Sequence, residues 1–329
     1  SFNQTTYEAC QEFCDAEGLQ FEYYKPQGDS TPERVAMVDA AIADGYNVIV
    51  MPGYAFAETI KETAELYPDV TFIALDVAQG DLDPNGEGYT LPSNVYCAVY
   101  QEELCGYMAG YAAVKLGYTH LGVLGGMAVP AVQRFGYGFV QGADAAAVEL
   151  GIADQVVMEY AYGNQFYGDA DITAYMDNWY QTLGVEVVFA SGGGIYTSAA
   201  EAAAKVGGKL IGVDVDQSAN IDTYGEGMCV TSAMKGLAET VQHMLSEVVA
   251  GNFANYGGKI ETLGLVSGDD PTANYVQLPM ETTQWGDGFT QDDYKALVKA
   301  MYDGEVTVSN DTSAMPETTI TVNFAGNIK

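Results

Sequence analysis

Positive charge is scarce in this chain: 12 Lys plus Arg stand against 45 Asp plus Glu in 329 residues, a formal net charge of −33. Such a field repels nucleic acid and anionic lipid, and it favours solubility or a neutral or cationic small ligand. Histidine is scarcer still. His120, at a strand start, and His243, in mid-helix, are the two, and neither neighbours a Ser or Cys in a nucleophile motif, so no catalytic residue is assigned and the chain is not expected to be an enzyme. The five cysteines, Cys10, Cys14, Cys97, Cys105 and Cys229, are too few and too scattered for a disulfide framework. Cys10 and Cys14 share a helix face at i, i+4, but no nearby Cys or His completes a zinc set, so no metal or cofactor is expected. No run approaches about 18 uncharged apolar residues, which excludes a membrane-spanning helix. No signal peptide stands at the N-terminus, so export would require a leader already removed.

What is present is apolar and periodic. With 48% hydrophobic residues and a mean hydropathy of −0.01 the chain can bury sizeable cores, and its length suits two lobes. Strand signals fall near 20–25, 47–51, 71–75, 94–100, 120–125, 156–162, 185–190, 209–213 and 229–232, with amphipathic or Ala-rich helices at 31–43, 56–66, 102–116, 130–150, 172–183, 196–206 and 235–249. Runs such as Val48-Ile-Val and Val187-Val-Phe are apolar on both faces, as a parallel sheet covered by helices requires. The fold class is therefore α/β, doubly wound and mostly parallel, repeated in two lobes. The first lobe is expected over 1–99 with 232–256 and 318–329, and the second over 100–231 with 257–308. From Gly257 the alternation gives way to a Gly-, Asp- and Pro-punctuated region ending in a helix at 291–303, and 309–317 has linker composition.

The two ends of the chain read together. Thr319, Thr321 and Asn323 alternate with Ile320, Val322 and Phe324 before an Ala325-Gly-Asn327 turn, a strand signal in an odd place. The N-terminus opens directly into a helix at 5–17 with no strand before it. The expectation is a circular permutation in which the C-terminal strand serves as the first strand of the first lobe, beside 20–25 and 47–51, within its own chain or from a neighbour by strand swapping into a homo-oligomer.

Open α/β sheets bind ligands at the carboxyl ends of their strands. Asp76 ends the strand at 71–75, Gly53 and Tyr54 follow 47–51, Gly192-Gly-Gly194 follows 185–190, and Asp214 and Asp216 follow 209–213. Several carboxylates, glycines and an aromatic gathered at such ends predict a binding cleft. Asp81-Leu-Asp-Pro-Asn-Gly86 imitates the start of a calcium loop, but its twelfth position is Pro92 where a bidentate Glu is required. Gly192-Gly-Gly-Ile-Tyr196 lacks GxGxxG spacing, and no GxxxxGK[ST] occurs.

Ser1-Phe-Asn-Gln4, Gly125-Gly-Met-Ala-Val-Pro130 with Phe135-Gly-Tyr-Gly-Phe139, the segment around Phe166, Gly212-Val-Asp-Val-Asp-Gln217 and Thr231-Ser-Ala-Met-Lys235 resemble, in this order, the basic membrane protein family. These are purine-nucleoside-binding lipoproteins that serve ABC importers and are built on the type I periplasmic-binding fold. The resemblance implies an extracytoplasmic protein, with a lipid anchor in its precursor left open, that takes a purine nucleoside between two lobes and passes it to an ABC permease. It further implies that Phe2 and Phe166 sandwich the base, Asn3 reads it, Asp76 accepts from base or ribose, Asp214 and Lys235 hold the ribose hydroxyls, and Gly212 lets backbone approach. Gly53, Tyr54, Gly193 and Asp216 are weaker candidates. Family members carry a strand and an acidic turn before Ser-Phe-Asn-Gln, which 323–329 resemble here, and the family's anchor cysteine is absent from these residues. Another small polar ligand, such as a sugar or autoinducer, and a ligand-sensing receptor domain are the alternatives.

Overall fold

The computed structural model describes residues 2–329. In chain order its first half runs α1 (Phe2–Glu17), α2 (Thr31–Ala43), β1 (Val48–Pro52), α3 (Ala57–Thr63), β2 (Thr71–Leu75), α4 (Gln79–Leu82), β3 (Val95–Tyr100), α5 (Glu102–Lys115), β4 (His120–Gly125), α6 (Pro130–Leu150) and β5 (Val157–Tyr162). The second half runs α7 (Ala170–Asp177), β6 (Val187–Ser191), α8 (Tyr196–Ala204), β7 (Lys209–Asp214), α9 (Ser218–Ile221), β8 (Cys229–Lys235), α10 (Leu237–Val249), β9 (Lys259–Leu263), β10 (Val276–Gln277), α11 (Gln291–Tyr302) and β11 (Thr321–Asn327). Two compact units result, one from Phe2–Tyr100 with Leu237–Leu263, the other from Gln101–Gly236 with Gly264–Lys329.

The smaller unit holds a four-stranded sheet in the order β1-β2-β3-β9, parallel throughout. Phe72, Ile73, Ala74 and Leu75 are fully buried in β2, the double-faced burial that a helix-covered parallel strand needs. The larger unit holds a seven-stranded sheet, β10-β8-β7-β6-β4-β5-β11, parallel except for the β10–β8 pair. Helices α5 and α6 lie backbone against backbone. A Cβ at Gly106 or Gly110 would drive into the carbonyl oxygens of Phe135 or Phe139, and one at Gly138 or Gly142 into those of Glu103 or Tyr107. That approach fixes where the starts of both helices, with Glu102 and Arg134, come to rest.

Two expectations about the chain ends are corrected. The C-terminal strand does not enter the smaller sheet: Thr321, Val322, Asn323 and Phe324 pair in parallel with Val157, Met158, Glu159 and Tyr160 on the β5 edge of the larger sheet, within the same chain. The pairing is directed by side chains a sequence pattern does not reveal, since Asn323 donates to both carboxylate oxygens of Glu159 at 3.1 Å and Asp144 accepts the backbone N–H groups of Thr319 and Ile320 at 2.8 and 2.9 Å. Residues 20–25 form no strand either. They belong to no regular element, while β1 is left as the edge of its sheet and an apolar cavity of about 580 Å3 lies among β1, residues 18–26, α1 and α2. A strand exists only where a ladder partner is within reach, and here the cavity intervenes.

Candidate functional site

Three non-glycine residues among those described take left-handed backbone conformations: Asp76 (φ 58°), Asn164 (φ 60°) and Asp214 (φ 68°). Such conformations are uncommon without glycine and gather at functional sites, where the surrounding structure must hold them. Asp76 caps the carboxyl end of β2 in the smaller unit, its N–H donating to the Ala98 carbonyl at 2.8 Å. Asp214 ends β7 in the larger unit, and Asn164 stands in the loop after β5.

Around Asp214 the larger unit assembles a buried charge cluster. Lys235 is the last residue of β8 rather than the first of a helix, and its side chain is 2% exposed. Its Nζ donates to Glu102 Oε2 at 3.1 Å, lies 3.8 Å from Asp214 Oδ1 and faces the Phe135 ring at 5.3 Å. Glu102 is wholly buried and receives a second cation, Arg134, whose Nε donates to Oε1 at 2.8 Å. The Glu102 carboxylate thus sits between an ammonium and a guanidinium, the pairing a buried charge needs. Burial raises the Asp214 carboxyl above its ordinary range, Lys235 opposes that rise and Glu102 adds to it. Its side chain keeps 15% exposure, enough for a carboxylate to meet an incoming donor. Next to Glu102 in sequence, Glu103 is pushed up to about 7 by burial, with Oε2 lacking a hydrogen-bond partner among the described residues.

The carboxyl end of β5 supplies the aromatic part. Phe166 is half-buried, and its backbone oxygen accepts from Gly194 N at 2.9 Å. Its ring covers Gly126, where a Cβ would stand 2.5 Å from Cδ1, so only glycine leaves the ring that place. Gly193, at φ +55°, forms the turn opposite. Asp169 closes the loop by capping α7 through Ile172 N at 2.9 Å, and its carboxyl is held down near about 2, first by the Lys329 ammonium and then by that backbone N–H.

The larger unit therefore carries Phe166 and Gly193 in loops that meet through the Gly194 N–H and the Phe166 carbonyl, and Gly212, Asp214, Asp216 and Lys235 at or just beyond the ends of β7 and β8. Gly212 serves packing: a Cβ there would stand 2.7 Å from Ser232 Oγ and 2.8 Å from Gln217 Cβ, and Gln217 Oε1 accepts from Val213 N at 2.9 Å. Asp216 ties its own loop, accepting from Ser218 N at 3.0 Å and Thr282 Oγ1 at 2.6 Å. Phe2, Asn3, Gly53, Tyr54 and Asp76 belong to the smaller unit. There Phe2 is half-buried, Asn3 lines the apolar cavity, and Gly53, at φ +118°, turns the chain after β1 into Tyr54, which is 40% exposed. Sequence reasoning missed Glu102 and Arg134. The available signal was an arginine in an apolar, Gly-rich helix of a chain with few cations, which has to find a carboxylate.

A family model described as ABC transporter substrate-binding protein PnrA-like, Bmp, matches residues 1–269. Basic membrane protein B of Borreliella burgdorferi is 26% identical over 237 residues, 71% of this chain and 64% of that protein. A protein named uncharacterized lipoprotein from Pyrococcus horikoshii is 24% identical over 270 residues, 80% of this chain and 63% of its own. The chain thus spans less than two thirds of the length of these curated relatives. An ABC transporter solute-binding protein from Conexibacter woesei superposes with a TM-score of 0.70 at 23% identity, covering 94% of each chain, a likeness of fold. With residues 1–269 inside the family model, the chain belongs to the Bmp family of PnrA-like ABC transporter substrate-binding proteins.

Proposed function

We propose that this protein is an extracytoplasmic solute-binding protein that captures a purine nucleoside and delivers it to an ABC permease. The observation that carries the reading is Asp214, held in a left-handed conformation at the end of β7 beside the buried Lys235 ammonium. A carboxylate accepts from both hydroxyls of a vicinal diol, and an ammonium donates to the same oxygens, so the pair suits a ribose. Glu102 takes up part of the Lys235 charge, which leaves the cluster unsuited to a phosphate. Phe166 offers a flat face to a base at small entropic cost. The family is one of ABC transporter substrate-binding proteins, in keeping with a role of capture and release.

Asp214→Ala tests the reading. It should weaken inosine or adenosine binding by about 2–5 kcal/mol, the usual cost of removing one partner of buried charged hydrogen bonds. Phe166→Ala should cost roughly 1–3 kcal/mol through lost stacking. Asp76→Ala measured in the same series reports whether the smaller unit takes part. Variants that melt and bind like the parent would defeat the assignment.

A further inference from the structure

The C-terminal strand buries little for its length. Of Thr321–Asn327 only Val322 and Gly326 are even half-buried, and Phe324 is 52% exposed with its ring edge against Tyr160 and Tyr162. Its polar contacts are nonetheless specific, and they change partner along its length. The first part is tied to scaffold, through Asp144 on α6 and Glu159 on β5. The register then shifts between Phe324 and Asn327, where Gly326 sits at φ +73°. An extra residue of this kind bends a strand and re-aims the chain beyond it.

Beyond the bend, the last residues are directed at the loop that carries Phe166. Ile328 N donates to the Tyr162 carbonyl at 2.8 Å, at the point where β5 becomes that loop. Asn164 Nδ2, on a left-handed residue of the loop, donates to the Lys329 backbone oxygen at 3.4 Å. Lys329 Nζ forms an ion pair with Asp169 and lies 4.0 Å from Asp171. Asp169 in turn accepts from Gln165 Nε2 at 2.9 Å, next in sequence to Phe166. The loop is also held by Gly126, Gly194 and, at Asp169, by Ser198, and residues 327–329 add a separate set of contacts to it.

We infer that the C-terminal strand is a brace for the Phe166 loop, with Lys329 a positioning residue that acts through Asp169 on ligand retention rather than on stability. The inference rests on the reading of Phe166 as the stacking residue. It can be tested apart from that reading. In ligand-free protein, Lys329→Met should speed amide hydrogen exchange of 163–169 roughly two- to fivefold, the scale of a half-exposed ion pair, with a melting temperature within about 1 °C of the parent, and removal of residues 328–329, which also takes Ile328 off the core it packs against, should speed it further. Lys329→Arg should restore parental exchange. Inosine should dissociate from Lys329→Met faster by a similar factor. Unchanged loop exchange in both variants would overturn the brace whatever the ligand, and faster exchange with unchanged inosine dissociation would overturn the positioning role. Faster exchange in a protein whose parent binds no nucleoside would leave the brace standing and sink the nucleoside reading alone.

Discussion

The two sheets are built from the same βα alternation and end differently. In the larger unit β6 is buried at all five positions, and the β5 edge is covered by β11. In the smaller unit β1 forms an edge with Met51 its one buried residue, and the apolar cavity of about 580 Å3 runs alongside. A parallel sheet gains its stability from covered faces and paired edges, so the two units should differ in stiffness. The charge cluster of Glu102, Arg134, Asp214 and Lys235 belongs to the stiffer one. A buried ion cluster tolerates no slack, because each member is costly when its partner moves away.

The largest effect that would break this comparison is at Glu102. Glu102→Ala takes from the cluster the buried carboxylate shared by Lys235 and Arg134, leaving Asp214 3.8 Å from the Lys235 ammonium, and a loss of about 3–5 kcal/mol is expected by denaturant titration. Were the loss below about 1 kcal/mol, the cluster would be wet and the larger unit looser than its packing implies.

A matched pair of truncations sharpens the contrast. Ile211→Ala, at a fully buried position of β7, should cost about 2–5 kcal/mol, and Ile49→Ala, on the half-buried β1, under about 1.5 kcal/mol, because less of its side chain is removed from water and fewer atoms pack against it. Equal costs would mean that the smaller unit is packed as tightly as the larger.

The smallest effect is a pH dependence. Glu103 is raised to about 7 in the folded protein from an ordinary value of 4.5, so the protonated carboxyl is what the fold favours. Its contribution is fully present below about pH 4.5 and is lost as pH rises through 7, which should lower stability by roughly 1–3 kcal/mol between pH 5 and pH 8. Glu103→Gln should remove that part of the slope. A variant with the parental slope would place the titration elsewhere.

The legible and illegible parts of this fold divide by range. Strands at 71–75 and 120–125 and the carboxylates Asp76 and Asp214 at strand ends follow from local apolar runs and a short polar stop. Local pattern also ran out in definite places. Lys235 reads as the start of a helix because Leu237–Val249 is strongly amphipathic, yet β8 extends through it so that its ammonium can reach Glu102, 133 residues away in sequence. β9 was missed because Lys259-Ile-Glu-Thr-Leu263 comes after a glycine-rich stretch and is only half-buried at best. The strand character of 320–324 was legible, but its partner was not. Edge pairing is decided by Asp144 and Glu159, side chains about 165 to 175 residues distant.

The central claim is that the Asp214 and Lys235 pair selects a ribose diol without a phosphate. Calorimetry of the whole chain with adenosine, guanosine and inosine, the free bases and the 5′-monophosphates tests it most directly. Nucleosides should bind more tightly than free bases, which offer no diol, and than monophosphates, whose charge would meet an acidic protein and the Asp214 carboxylate while the Lys235 ammonium is already engaged by Glu102. Monophosphate affinity equal to or above that of the nucleosides, or binding by a free sugar alone, would contradict the account.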